Sequence, residues 1–348
     1  MLLLLHGLLQ YVSVHGGEME KQIEVLDWIA QGRVVRGRES EALTLSGFYP
    51  TTIQWRRFID QMLLWCGVIA LGAALIFFLA YNWQAMGRYA KFAIAEGVVI
   101  LSLLACWRFS LTSMAGKASL LLASLFVGAL LALVGQTYQT GADTFELFSA
   151  WAIATLAWVV LARLGALYLF WLVLVNMAVM LYFQTFGGFW GMLFSTNAQI
   201  WSLFVLNTLA LFFWEFAAWR GVQHLRERWS VRVLATASGV LVTVLVLNAI
   251  FEDSYRLESG GYLRLLAAFL VYLAWLLVSF IVYRKFIKDL FVLAGSVLSL
   301  IVSVNALVGR TVLHHSDAGG FLLVGLLIIG SSAWGGIWLK KIAKEMQA

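Results

Sequence analysis

The run Met62-Leu-Leu-Trp-Cys-Gly-Val-Ile-Ala-Leu-Gly-Ala-Ala-Leu-Ile-Phe-Phe-Leu-Ala-Tyr81 contains no charged residue. A helix rises about 1.5 Å per residue, so a run of roughly 20 residues spans the hydrocarbon core of a bilayer. Lipid offers no partner to backbone N–H and C=O groups, which leaves helices and closed barrels as spanning structures. A barrel strand alternates polar and apolar positions over about ten residues. This run does not alternate, and it reads as a membrane-spanning helix.

Outward from it, nine further apolar runs are separated by short polar punctuation. The spans read as Met62–Tyr81, Lys91–Trp107, Ala118–Gly135, Leu147–Ala162, Ala166–Phe183, Ile200–Trp219, Val231–Ile250, Leu263–Tyr283, Leu290–Val308 and Gly319–Leu339. The narrowest division is Arg163–Gly165, between the fourth and the fifth. Composition agrees: 62% of the 348 residues are hydrophobic and 12% charged, where a soluble domain is nearer half and a quarter. The expected fold class is all-α: a polytopic transmembrane helix bundle of about ten spans with a short N-terminal cytoplasmic helical segment. Thirty glycines against one proline suit closely packed helices, and 16 Trp with 11 Tyr supply interfacial belts.

The basic residues orient the chain. With the N-terminal segment inside, 19 of the 24 Lys and Arg fall in cytoplasmic segments. Only Arg88, Lys91, Arg256, Arg264 and Arg310 lie outside, a strong positive-inside bias. The formal net charge of +6 is thus topological, and no nucleic-acid partner is expected. Both ends are expected in the cytoplasm. Met1–Glu18 reads as an N-terminal extension before a start at Met19: its apolar run is too short to span and lacks a basic flank or cleavage site. Met19–Gln61 reads as a cytoplasmic amphipathic segment, helical over Glu20–Gln31 and Arg38–Ser46. Pro50 then opens the first long helix from about Thr51. The bundle proper is Met62–Lys340, and Lys341–Ala348 is a cytoplasmic tail.

One stretch is more particular: Gly135-Gln-Thr-Tyr-Gln-Thr-Gly-Ala-Asp-Thr-Phe-Glu-Leu-Phe148, followed by Ser-Ala-Trp151. With Ala80-Tyr-Asn-Trp83 and the helical N-terminal segment, it resembles the bacterial membrane-protein family called domain of unknown function 2157. The likeness is densest from Glu20 to about Phe183. It implies a bacterial inner-membrane protein and carries over no catalytic residue.

Polar residues within or beside the spans are the candidates for function. Glu96 lies five residues into the second span, where burying a charge costs several kcal/mol on insertion scales. It reads as a cation or proton site, or as the structural partner of a basic side chain. Glu215, close to Arg220, reads as snorkelling or locally paired. Asn176, Asn207, Asn248 and Asn305 occupy four different spans, all in the outer half of this map. Asn82, Gln136, Tyr138, Gln139 and Asp143 stand at its outer boundary. Glu96, Asn82, Gln136, Tyr138, Gln139, Asp143, Asn176 and Asn207 together are the candidate lining of an outward-facing polar cavity. The competing reading makes the amides glue between helices, at about 1 kcal/mol each, and Asp143 or Thr144 the N-cap of the next helix.

His314, His315 and Asp317 lack the i, i+4 spacing of a helical metal site. Cys66 and Cys106 have no CxxC partner and read as packing residues. No metal and no cofactor is expected, and no hydrolase, nucleotide-binding or metalloprotease motif occurs. Two functions fit. One is a carrier or binding protein for a small or lipid-like molecule. The other is a non-catalytic membrane subunit that docks a membrane-protein partner or a second copy of itself. An enzyme comes third, since it needs more ionisable groups facing one cavity.

Overall fold

The computed structural model describes residues 24–35, 37–46, 52–82, 84–186, 198–251, 262–313 and 318–347. These are helical throughout, joined by turns. Two short helices come first, α1 (24–30) and α2 (Glu39–Leu45). Then follow α3 (Thr52–Tyr81), α4 (Arg88–Phe109), α5 (Met114–Tyr138), α6 (Thr144–Ala162) and α7 (Gly165–Phe186). The remainder are α8 (Ala198–Trp219), α9 (Arg228–Phe251), α10 (Tyr262–Ile281), α11 (Leu290–Leu313) and α12 (Ala318–Gln347). Each of the ten from α3 to α12 is long and apolar enough to cross a membrane. They coincide with the ten runs read from the sequence. The proposed start-site region, the histidine loop and most of the Gln184–Gln199 loop lie outside the described residues.

The chain divides into two compact units, Met1–Ala178 and Val179–Ala348, the boundary falling inside α7. Each is organised around one central helix whose small residues let its neighbours approach closely.

In the first unit that helix is α5. Ala118, Ala123, Ser124, Phe126 and Gly128 are all buried. Trp151 of α6 lies with its ring directly against Gly128, where a Cβ would collide with it. Its indole N–H donates to the Ser124 carbonyl at 2.7 Å. Trp171 of α7 does the same to the Ala152 carbonyl at 2.9 Å. A tryptophan inside lipid needs a partner for its N–H, and these two bonds fix α6 on α5 and α7 on α6. The α6–α7 turn is only Arg163 and Leu164, with Arg163 left-handed at φ +48°. That agrees with the narrow division seen in the sequence.

The second unit repeats the device on α9. Its buried face includes Ala235, Ser238, Gly239, Val242 and Val246. Trp275 of α10 sits over Gly239, its nearest ring carbon 2.9 Å from where a Cβ would stand. The Trp275 indole donates to Ser238 Oγ at 3.0 Å, and Ser238 also bonds Thr208 of α8 at 2.7 Å. Around this lie Phe204, Leu245, Val246, Ile250 and Tyr272. After Ile281, α10 continues through a π-helical turn, Val282–Phe286. The extra residue per turn swings Tyr283 inward, where it is 4% exposed. π turns of this kind are rare and recur at functional sites.

Candidate functional site

Four elements of the second unit end together around Arg228, and their side chains form a closed ionic cluster. The Arg228 guanidinium is a fork with two faces. Nη1 donates to Glu215 Oε1 at 3.0 Å and Oε2 at 3.2 Å. Nε and Nη2 donate to Asp289 Oδ2 at 3.0 and 2.8 Å. A lysine would not bridge both carboxylates this way, because its single nitrogen cannot place Nε and Nη2 donors on one carboxylate and an Nη1 donor on the other. Tyr283 Oη donates to Glu215 Oε1 at 3.0 Å. Arg232, one turn along α9, gives Nε to Asp289 Oδ1 and Oδ2 at 3.3 and 3.2 Å.

Asp289 is the hub. Its side chain is 2% exposed, and Oδ1 also accepts the Phe291 backbone N–H at 3.1 Å, opening α11. Burial pushes its carboxyl upward, but hydrogen bonds and charge from Arg228 and then Arg232 outweigh that. They hold it below the ordinary carboxylate range. Two guanidinium groups and two carboxylates leave the cluster neutral, which is how charge survives burial at a membrane edge.

Directly below the cluster a crevice of about 250 Å³ opens between α9 and α11. One wall is Ala235, Thr236, Gly239, Val240, Thr243 and Val244, and the other is Phe291 to Val302. Trp275 closes its back. Eleven residues separate Phe291 from Val302, so the crevice runs about 16 Å along α11. Its hydroxyls are satisfied within the protein. Thr236 donates to the Arg232 carbonyl at 2.8 Å, and Thr243 to the Gly239 carbonyl at 2.6 Å. Ser299 bonds Thr243 and Tyr272 at 2.6 and 3.0 Å. The walls therefore present methyl and methylene groups, a surface for hydrocarbon.

The residues singled out in the sequence are distributed otherwise. In the first unit Gln136 lines a crevice of about 370 Å³ with Ile76, Leu79, Ala95 and Leu133. Asn82 donates to the Phe78 carbonyl at 3.0 Å. Tyr138 is exposed and packs at 6.2 Å on Phe92. Gln139 ends α5 in a left-handed turn at φ +47°. Asp143 caps α6, its backbone N–H donating to Glu146 Oε2 at 3.2 Å in a capping box. Glu96 is exposed on α4. Asn176 donates to the Leu172 carbonyl at 2.8 Å. Asn207, in the second unit, is buried and donates to the Leu203 carbonyl at 2.8 Å. Cys106 is buried and Cys66 exposed, both as free thiols. Among the described residues no three His, Cys, Asp or Glu side chains group as metal ligands.

The Arg228–Asp289 cluster was not visible in the sequence as a unit. Glu215 is paired, but with Arg228 on the next helix, while Arg220 instead stacks on Phe216 at 5.1 Å. The available signal was Asp289 itself, a lone acid after Arg284, Lys285 and Lys288.

Ten helices long and apolar enough to cross a membrane define a multi-pass α-helical membrane protein. Residues 26–168 match the family described as predicted membrane protein, domain of unknown function 2157, inside the stretch where the sequence resembles it. No curated protein and no solved structure matches the chain.

Proposed function

We propose that this protein binds or carries a lipid-like molecule without chemically altering it. The observation that supports this is the α9–α11 crevice. It is smaller than the roughly 300–1,000 Å³ pockets that enclose compact ligands, and its hydroxyls are already bonded, so it suits a single hydrocarbon chain. The polar groups of the first unit provide a candidate second station: Gln136 on its crevice wall, Asn82, Tyr138, Gln139 and Asp143 near the same helix ends, then Glu96 and Asn176.

Gly295 tests the reading, because a side chain added there meets open space within the crevice. Gly295→Phe is expected to fold normally and to retain about tenfold less phospholipid after detergent washing, measured by native mass spectrometry. Unchanged retention would sink the crevice reading and leave the docking one. One observation favours docking: Glu96 is exposed within a membrane span, and a carboxylate there gains from a basic or hydrogen-bonding partner.

The resemblance carried by residues 135–151 supports a bacterial inner-membrane location, and the positive-inside bias supports both ends being cytoplasmic. In a background lacking Cys66 and Cys106, Arg226→Cys and Lys344→Cys are expected to resist an impermeant thiol reagent in intact cells, and Asp143→Cys to react. Labelling at position 226 but not 143 inverts the assignment.

A further inference from the structure

Arg232 differs from every other member of the ionic cluster. Glu215 and Arg228 are each 19% exposed in their side chains and Asp289 2%, but Arg232 is 45% exposed. Its Nε is committed to Asp289, while its two Nη groups make no hydrogen bond among the described residues. The guanidinium lies 5.6 Å from the centroid of the Phe291 ring, and Phe291 lines the crevice. Ala235 and Thr236, one turn further along α9, are the first residues of the opposite wall. A half-exposed guanidinium therefore stands at the mouth of a hydrocarbon-lined groove.

We infer that the crevice takes one acyl chain of an anionic glycerophospholipid, whose phosphate is held by Arg232. The inference rests on the lipid-binding reading of the crevice and adds its headgroup chemistry. Charge complementarity supports it. The segments at this end of the unit, 215–232, 284–289 and 340–347, hold ten Lys and Arg against four Asp and Glu. Arg284 pairs with Glu345 at 2.9 Å, and the excess of basic side chains attracts anionic headgroups. Asp289 acts as a positioning residue: by occupying Nε it turns the Nη edge of Arg232 outward, the geometry in which a guanidinium meets phosphate through two donors. A chain descending from there enters an apolar path of about 16 Å.

The test is native mass spectrometry of the full chain in detergent, titrated with dioleoyl phosphatidylglycerol and with dioleoyl phosphatidylcholine. The chains are identical, and only the first lipid carries net negative charge. Wild type is expected to bind phosphatidylglycerol about tenfold more tightly, the worth of a charge-assisted contact. Arg232→Gln is expected to make the two affinities equal, and Arg232→Lys to keep most of the preference. Because the readout is a ratio within one variant, a partial loss of folded protein does not imitate it. Preference persisting in Arg232→Gln overturns the headgroup inference and leaves lipid binding intact. If Gly295→Phe leaves the affinity for both lipids unchanged, the crevice itself is not the site.

Discussion

Arg228→Met will be the most destabilising single substitution in the second unit. It removes all four hydrogen bonds that one guanidinium gives to Asp289 and Glu215 and leaves Glu215 with Tyr283 and Asp289 with Arg232. Breaking a buried ion pair by deleting one partner costs about 3–5 kcal/mol, because the remaining charge stays desolvated. Thermal unfolding of the purified protein measures it, and a melting temperature within about 2 degrees of wild type refutes the role given to the cluster.

The same cluster sets an acid limb. The folded Asp289 carboxyl sits below its ordinary value of 3.8. The unfolded chain therefore takes up the proton first as pH falls, and stability falls with it. The contribution of Asp289 is complete well above pH 3.8 and is lost as pH drops through the lower folded value. Asp289→Asn removes this limb. An acid limb as steep in Asp289→Asn as in wild type assigns the loss to other carboxylates.

Gly128→Leu will be the most damaging substitution in the first unit. The Cβ alone meets the Trp151 ring, so the indole must leave its seat and give up its bond to the Ser124 carbonyl. Overpacking a fitted site costs about 1–3 kcal/mol, and the lost hydrogen bond puts this case near the top of that range. Gly97→Leu is the control, since nothing lies within 4 Å of a Cβ there. Equal melting temperatures for the two variants exclude the Trp151 seat as a determinant of packing.

The ten spans were legible because lipid imposes a minimum length of apolar sequence, and Met62–Tyr81 meets it without interruption. The capping of α6 by Asp143 was legible too, being local in sequence. Helix pairing was not. A span is apolar both where it faces lipid and where it faces protein, so nothing in the runs around Gly128 and Gly239 marks them as seats for Trp151 and Trp275. Nor did the pattern suggest that the contacts gather into two compact units. The ionic cluster was hidden for a related reason. Arg228 and Arg232 count equally with Lys340 as topological charge, and only the fold reveals that two of the three are bonded to a buried aspartate 57 or more residues away.

The division after Ala178 bears on how the protein is made. The partners that hold α5, from Leu79 and Ala95 to Trp151, are all translated before the 170 residues of the second unit, Val179–Ala348. At roughly 5–20 residues per second, that is an interval on the order of ten to thirty seconds. Throughout it the first unit already possesses its own core around Ala95, Leu122, Phe126 and Leu133. A message broken between α7 and α8 is therefore expected to yield a fragment that keeps its own packed core.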